Sequence, residues 1–148
     1  MPIPELNENG FLPEGIHEAS IEEVRERFGR FQRTDRRPAL FTKLSTYLAE
    51  VRASGLVVAV ILDGSFVTAK GEPSDIDLIL VMRPDHDDRA DLRPFEYNAV
   101  AKHVVRRRYR FDVVRAREGS DEYEQAVRFF QLAKGPSGLR KGVIKVIP

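Results

Sequence analysis

The sequence predicts a single α+β domain, which is α/β-like because its strands are separated by helices. The chain has 148 residues, the size of one ordinary domain. It is 42% hydrophobic and 32% charged, a composition that buries a core and keeps a polar surface. Short runs rich in Val and Ile alternate along the chain with segments whose apolar residues recur at helical spacing.

The N-terminal part is predicted to be an extended arm over residues 1–19, which hold three prolines and two glycines. The domain proper is expected over 20–148. It begins with a short helix, because Ser20 and Glu23 have the spacing of a capping box and Gly29 is a suitable end.

A second helix is predicted to hold Pro38 in its first turn and to end at Ser54 and Gly55. Its apolar residues recur at helical spacing: Leu40, Phe41, Leu44, Tyr47, Leu48 and Val51. The continuously apolar run 56–62 then predicts a strand that is buried on both faces.

The second half of the chain continues this alternation. β-branched and aromatic content predicts strands at 75–82, 109–115 and 141–147. Helices are predicted to begin near Pro94 and Ser120, a polar connection to cover 84–91, and a turn to cover 135–138.

Composition excludes several classes of protein. The formal net charge is +1, so no global field indicates nucleic acid or membrane as a partner. The absence of cysteine excludes disulfides, zinc thiolate sites and cysteine nucleophiles. The N-terminus does not resemble a signal peptide, and no run approaches the length of about eighteen apolar residues that spans a membrane. We therefore expect a cytoplasmic protein.

Asp75 and Asp77 stand two residues apart in the apolar run 75–82, where unpaired carboxylates are unfavourable. On a strand they would point to the same side, roughly 7 Å apart at the backbone. A divalent cation would relieve their repulsion, and oxygen ligands without Cys or a nearby His favour Mg²⁺ or Mn²⁺. The alternative is structural: both aspartates cap a turn at the start of the strand.

Gly64 and Ser65 follow the preceding strand, and nine residues separate Ser65 from Asp75. Gly64 permits close approach of the backbone to a ligand, and Ser65 offers a hydroxyl. A short helix beginning at Ser65 would present its amides to a phosphate. Metal ligands and a phosphate cradle would then lie at neighbouring strand ends.

This arrangement of Gly64-Ser65, a nine-residue gap and Asp75-Ile76-Asp77 resembles the signature of the DNA polymerase β-like nucleotidyltransferase superfamily. The run Ser-Asp-Ile-Asp-Leu-Ile-Leu-Val is similar to small stand-alone prokaryotic members. The resemblance covers residues 62–80 and implies a mixed sheet flanked by helices, an NTP as substrate, and Mg²⁺ or Mn²⁺ as cofactor. It implies that Asp75 and Asp77 are catalytic and bind metal, and that Gly64 and Ser65 bind phosphate.

The same resemblance implies a third acid on a later strand, a role that falls to Asp112 in the predicted strand 109–115. Asp112 would help to position a metal or would take a proton from the attacking hydroxyl. Alternation predicts that Tyr109, Phe111 and Val113 face the core and that Arg110, Asp112 and Val114 face the open side. The alternative is an exposed aspartate on an edge strand. Lys70 lies where small members carry a basic residue, which implies phosphate binding.

Residues 102–117 hold seven Lys or Arg against one Asp. They fit contacts to triphosphate or RNA, with Tyr109 stacking on a base, and they fit equally well a solvated helix end. The cluster of His86 with Asp85, Asp87 and Asp88 is more typical of a solvated loop than of a metal site.

The leading functional hypothesis is a metal-dependent nucleotidyltransferase that moves a nucleoside monophosphate from an NTP to an unknown acceptor. The resemblance implies a partner protein or a tRNA as acceptor, in a toxin–antitoxin or defence module. The alternative is a catalytically inactive protein of the same fold that binds or regulates. A third hypothesis is an interaction protein that grips RNA through residues 102–117.

Overall fold

The computed structural model of the chain describes residues 3–30, 34–133 and 138–148. It confirms the predicted fold class, because a mixed five-stranded sheet is flanked by helices. The described elements are, in chain order, β1 (Gly15–Glu18), α1 (Ile21–Phe28), α2 (Arg36–Ser54), β2 (Val57–Asp63), a 3-10 turn (Ser65–Val67), β3 (Asp77–Met82), α3 (Pro94–Val100), α4 (Lys102–Tyr109), β4 (Asp112–Arg117), α5 (Asp121–Phe130) and β5 (Gly142–Val146).

The strand order across the sheet is β1-β5-β2-β3-β4. β1 runs parallel to β5, and β3 runs parallel to β4. β2 is antiparallel to both of its neighbours, β5 and β3. The arm predicted over 1–19 contributes the strand β1, which was not predicted from the sequence because it is short and pairs with the distant C-terminal strand.

The two faces of the sheet carry separate cores. On one face, helices α1 to α4 pack against alternate strand residues such as Val60, Leu62, Leu78 and Leu80. On the other face, α5 packs through Val127 and Phe130 against Ala59, Ile61, Ile79 and Val81. Since side chains alternate along a strand, Asp63 and Asp77 lie on the α5 face.

Local helix signals act as predicted. Ser20 and Glu23 form the reciprocal capping box of α1, and Gly29 ends that helix. Gly55 ends α2 in the left-handed conformation, with φ of 68°. Ser120 caps α5 by accepting a hydrogen bond of 3.1 Å from the Tyr123 amide. Each signal is satisfied within a few residues of chain, which is why the sequence reveals it.

The single helix predicted from Pro94 is instead two helices, because the chain is extended at Ala101 between α3 and α4. The buried Tyr47 hydroxyl donates a hydrogen bond of 2.6 Å to the Ala99 carbonyl. In a continuous helix that carbonyl would accept the amide of the residue four positions later. The Tyr47 hydroxyl therefore replaces the helical hydrogen bond to the Ala99 carbonyl where α3 ends and α4 begins.

Two predicted strands begin later than expected. Tyr109 is the last residue of α4 and Arg110 has φ of 66°, so β4 starts at Asp112 rather than at 109. β3 starts at Asp77, which leaves Asp75 in the preceding loop. Of the turn predicted at 135–138, residues 135–137 lie outside the described part of the chain. Within the described ranges, no helix has the length and apolarity needed to cross a membrane.

Candidate functional site

A cavity of about 910 Å³ opens where β2 ends and where β3 and β4 begin. Every site residue predicted from the sequence lines it, namely Gly64, Ser65, Lys70, Asp75, Asp77 and Asp112. The N-terminal arm closes one side with Asn9, Gly10 and Phe11, and the end of α5 adds an apolar wall that includes Phe129 and Phe130. The structure thus brings together residues that are far apart in sequence.

Three carboxylates form one row across three neighbouring strands. Asp63 at the end of β2 is the register partner of Asp77, and Asp77 is the register partner of Asp112 at the start of β4. Neighbouring strands lie about 4.8 Å apart, so the backbones of these residues are close. The structure thus places the proposed third acid, Asp112, beside Asp77, and Asp63 joins the row.

Asp75 reaches the same cavity from the loop before β3, so strand alternation is the wrong explanation for its position. Its Oδ1 accepts a hydrogen bond of 3.1 Å from the Ser65 amide and also binds the Ser65 hydroxyl. The Ser65 Oγ in turn accepts the Ser74 amide at 3.1 Å. Ser65 therefore ties both ends of the loop together and fixes the Asp75 carboxylate.

Gly64 is required where the Asp75–Asp77 segment crosses the end of β2. Its φ is 91°, a conformation that side chains rarely adopt. A β-carbon at this position would lie 2.9 Å from the Asp75 carbonyl oxygen and 3.1 Å from the Asp77 amide. The glycine thus permits the close backbone contact that brings the Asp75–Asp77 segment against the end of β2.

The phosphate cradle expected at Ser65 takes a different form. The segment is a three-residue 3-10 turn rather than the start of a helix. Its first amides already have acceptors, since Ser65 N–H binds the Asp75 carboxylate and Phe66 N–H binds the Asp75 carbonyl at 3.3 Å. The loop from Asp75 closes onto the turn and satisfies the amides that a helix would leave open.

Arg37 holds this turn through hydrogen bonds to its carbonyls, a role that was not predicted from the sequence. The residue is 1% exposed, and its guanidinium donates to carbonyls of Phe66 at 2.7 Å, Thr68 at 2.7 Å and Lys70 at 2.6 Å. A fourth bond of 3.2 Å joins it to the Phe28 carbonyl. Burial lowers the pKa of Arg37 from its ordinary value. One buried cation on α2 thereby holds the loop that leads from Ser65 to Lys70.

Asp112 is exposed and forms an ion pair with Arg106 of α4. Phe111 and Val113 on either side are buried, so the predicted division of faces is confirmed for these residues. Arg108 makes a bidentate contact of 2.7 and 2.8 Å with Glu50. Within the basic segment 102–117, Arg108 therefore makes a structural contact with Glu50, whereas Arg106 pairs with Asp112 at the edge of the cavity.

The donor set fits a hard divalent cation, because carboxylate oxygens of Asp75, Asp77 and Asp112 share one cavity. Among the described residues, no group of three or more acidic, His or Cys side chains is already drawn together as a metal site. Two contacts account for this arrangement: Ser65 holds Asp75, and Arg106 holds Asp112. The Arg106 contact uses Asp112 Oδ1, so a shared cation would coordinate Oδ2 or would displace Arg106 from Oδ1.

Asp63 is the buried member of the row. Its carboxylate is 7% exposed, and Oδ1 lies 2.9 Å from the Lys141 ammonium, which is 13% exposed. Burial raises the pKa of Asp63, while Lys141 opposes that rise. The signal for Asp63 was present in the sequence as an acid closing the apolar run 56–62. Lys141 gave no comparable signal, since it is an ordinary lysine before a predicted strand.

The fold and the site define a small α+β domain that gathers four carboxylates and three lysines in one cavity: Asp63, Asp75, Asp77, Asp112, Lys70, Lys102 and Lys141. The chain belongs to a family of unknown function, DUF6932, whose model matches residues 4–147. Comparison with curated proteins and with solved structures finds no match.

Proposed function

We propose that this protein is a metal-dependent nucleotidyltransferase that moves a nucleoside monophosphate from an NTP to a hydroxyl of a partner protein or a tRNA. The observation that carries the proposal is the row of Asp63, Asp77 and Asp112 beside the Gly64–Ser65 turn. The resemblance of residues 62–80 to DNA polymerase β-like nucleotidyltransferases supports the same function. A role in a toxin–antitoxin or defence module is part of this proposal.

In this proposal Asp75, Asp77 and Asp112 hold Mg²⁺ or Mn²⁺. When bound, such an ion would offset the negative charge that develops during phosphoryl transfer. Ser65 keeps Asp75 oriented through its amide and hydroxyl, and Arg37 keeps the turn in place from the opposite side. The protein's contribution is therefore mainly the positioning of charge.

The chemistry at the acceptor is assigned to Asp112, which stands at the exposed end of the carboxylate row. Its carboxylate takes the proton of the acceptor hydroxyl as the acceptor oxygen bonds to the α-phosphorus. The bond from that phosphorus to the bridging oxygen breaks, and pyrophosphate leaves with the electron pair. Gly64 and Lys70 line the cavity where the phosphates would lie.

A transfer assay tests the proposal. The protein is incubated with each α-³²P-labelled NTP, Mg²⁺ or Mn²⁺, and either total tRNA or a cell extract. We expect metal-dependent labelling of one macromolecule and loss of that labelling with Asp77→Asn. A complete lack of transferred label across the four nucleotides and both acceptor pools would count against catalysis.

The second candidate is a nucleotide-binding regulator that does not transfer. The contact of Arg106 with Asp112 favours it, because a basic side chain there neutralises the proposed third acid. Metal-dependent NTP binding without label transfer would identify this function, whereas transfer would exclude it.

A further inference from the structure

The ion pair between Lys141 and Asp63 has no role in the reaction as proposed so far. Both residues line the cavity, and the exposed fraction of the side chain is 7% for Asp63 and 13% for Lys141. A buried ion pair is seldom more stable than an apolar pair of similar size, because both charges lose their hydration. A pair retained beside a cluster of carboxylates therefore calls for a functional explanation.

The backbone at Lys141 is held in place by contacts with two other parts of the chain. The Lys141 amide donates a hydrogen bond of 2.7 Å to the Gln131 carbonyl at the end of α5. The next amide, that of Gly142, donates at 2.9 Å to the Leu12 carbonyl in the N-terminal arm. A β-carbon on Gly142 would collide with the Pro13 carbonyl oxygen, so the arm packs closely against this point. By contrast, Lys70 and Lys102 are exposed residues.

The ammonium also keeps hydrogen-bonding capacity. Lysine carries three N–H donors. The contact of 2.9 Å with Asp63 Oδ1 is an ion pair that uses at most one of these donors. Within the described part of the chain, no hydrogen bond to another residue accounts for the remaining donors of Lys141. They are available to an anion that enters the cavity.

The order of the strands determines which charged residue lies at each end of the cavity. Across β5, β2, β3 and β4, the charged residues are Lys141, Asp63, Asp77 and Asp112 in that order. Asp63 directly precedes the Gly64–Ser65 turn, and Lys141 contacts Asp63 from the β5 side of β2. The buried cation is thus at one end of the row, and the acid assigned to the acceptor is at the other.

We infer that Lys141, oriented by Asp63, binds the β- and γ-phosphates of the nucleotide and the pyrophosphate that is released. The triphosphate then extends toward β5, and the acceptor approaches from the β4 edge. Asp63 is a positioning residue, since it acts through Lys141. This inference rests on the proposed function, and it assigns a substrate orientation that the proposal alone leaves open.

Isothermal titration of inorganic tripolyphosphate in the presence of Mn²⁺ tests the inference without dependence on a nucleobase. We expect Lys141→Met to weaken tripolyphosphate binding about tenfold or more, the scale of one lost charge-assisted hydrogen bond. Mn²⁺ binding measured alone is not weakened, because Lys141 is a cation. Lys145→Met is the matched control, since Lys145 lies in β5, which begins directly after Lys141, and outside the cavity wall.

Lys141→Met leaves the buried Asp63 carboxylate unpaired, so a double variant separates binding from folding. Asp63→Asn with Lys141→Met removes both charges, and we expect it to regain thermal stability while keeping the loss of tripolyphosphate affinity. Recovery of wild-type affinity in the double variant would show that Lys141 is only structural and would overturn the inference. Wild-type protein that binds no polyphosphate with Mn²⁺ would instead overturn the proposed function together with this inference.

Discussion

Replacement of the buried Arg37 by methionine is a direct test of how the turn at the site is held. Methionine keeps an unbranched apolar stem, so the change removes chiefly the guanidinium. Four carbonyls lose their donor, three of them in the loop between Phe66 and Lys70. We expect the variant to lose global stability and to hold the Gly64–Lys70 turn less firmly.

The magnitude follows from which carbonyls water can reach. The bonds to Thr68 and Lys70 are half-buried, so water can replace the lost donor there. The bonds to Phe28 and Phe66 are buried, and each orphaned carbonyl costs about 1–3 kcal/mol. Relief from burying a charge offsets part of this cost, which leaves a net loss of about 3 kcal/mol. For a chain of this size the melting temperature then falls by about 6–12 °C.

The assay is thermal unfolding followed by circular dichroism, paired with titration of NTP in Mg²⁺. Arg36→Met is the matched control, because Arg36 is the exposed neighbour at the start of the same helix and should change stability by less than about 0.5 kcal/mol. Arg37→Lys restores charge with fewer donors and should recover part of the loss. A melting temperature for Arg37→Met equal to that of Arg36→Met would refute the supporting role.

Three further predictions concern the site and the core. Gly64→Ala should lower the melting temperature and weaken metal-dependent NTP binding, whereas Gly71→Ala, which meets open space, should do neither. Asp112→Asn should lower the transfer rate about 100-fold in a single-turnover assay, and it should change the NTP dissociation constant far less than Asp77→Asn does. Burial raises the pKa of Tyr47 above the value near 10 of an unfolded tyrosine. The free energy of unfolding, measured with denaturant, should therefore fall as pH rises above about 10. It should fall less steeply in Tyr47→Phe. A wild-type melting temperature for Gly64→Ala would contradict the first argument, and an unchanged transfer rate for Asp112→Asn would contradict the second. A free energy of unfolding that does not change above pH of about 10 would contradict the third.

Residues whose role depends on local chain geometry were predictable from the sequence. The capping box of α1 and the glycine at the end of α2 act on neighbours within one helical turn. The face of Asp112 was also predictable, because alternation between buried Phe111 and Val113 leaves one orientation for the residue between them. The spacing of Gly64, Ser65 and Asp75 predicted that they lie close together. In the structure, the amide and hydroxyl of Ser65 both bind the Asp75 carboxylate.

Residues whose role depends on distant partners were not predictable. Arg37 binds the carbonyl of Lys70, 33 residues away, and an arginine in a helix carries no signal of such a contact. Lys141 meets Asp63 because β5 pairs with β2, a topology that no local pattern specifies. Asp75 lies outside its predicted strand because Ser65 donates hydrogen bonds to the Asp75 carboxylate, and these bonds compete with strand pairing.

Calorimetric titration of ATP, GTP, CTP and UTP, each with and without Mg²⁺ or Mn²⁺, tests the central claim most directly. The carboxylates of Asp75, Asp77 and Asp112 repel a triphosphate unless a divalent cation lies between them. We therefore predict that at least one NTP binds weakly without metal and at least tenfold more tightly with it, a difference of about 1.4 kcal/mol. Asp77→Asn should abolish this difference. Equal affinity with and without metal for all four nucleotides, or no binding at all, would contradict the assignment of this cavity as a metal-dependent nucleotide site.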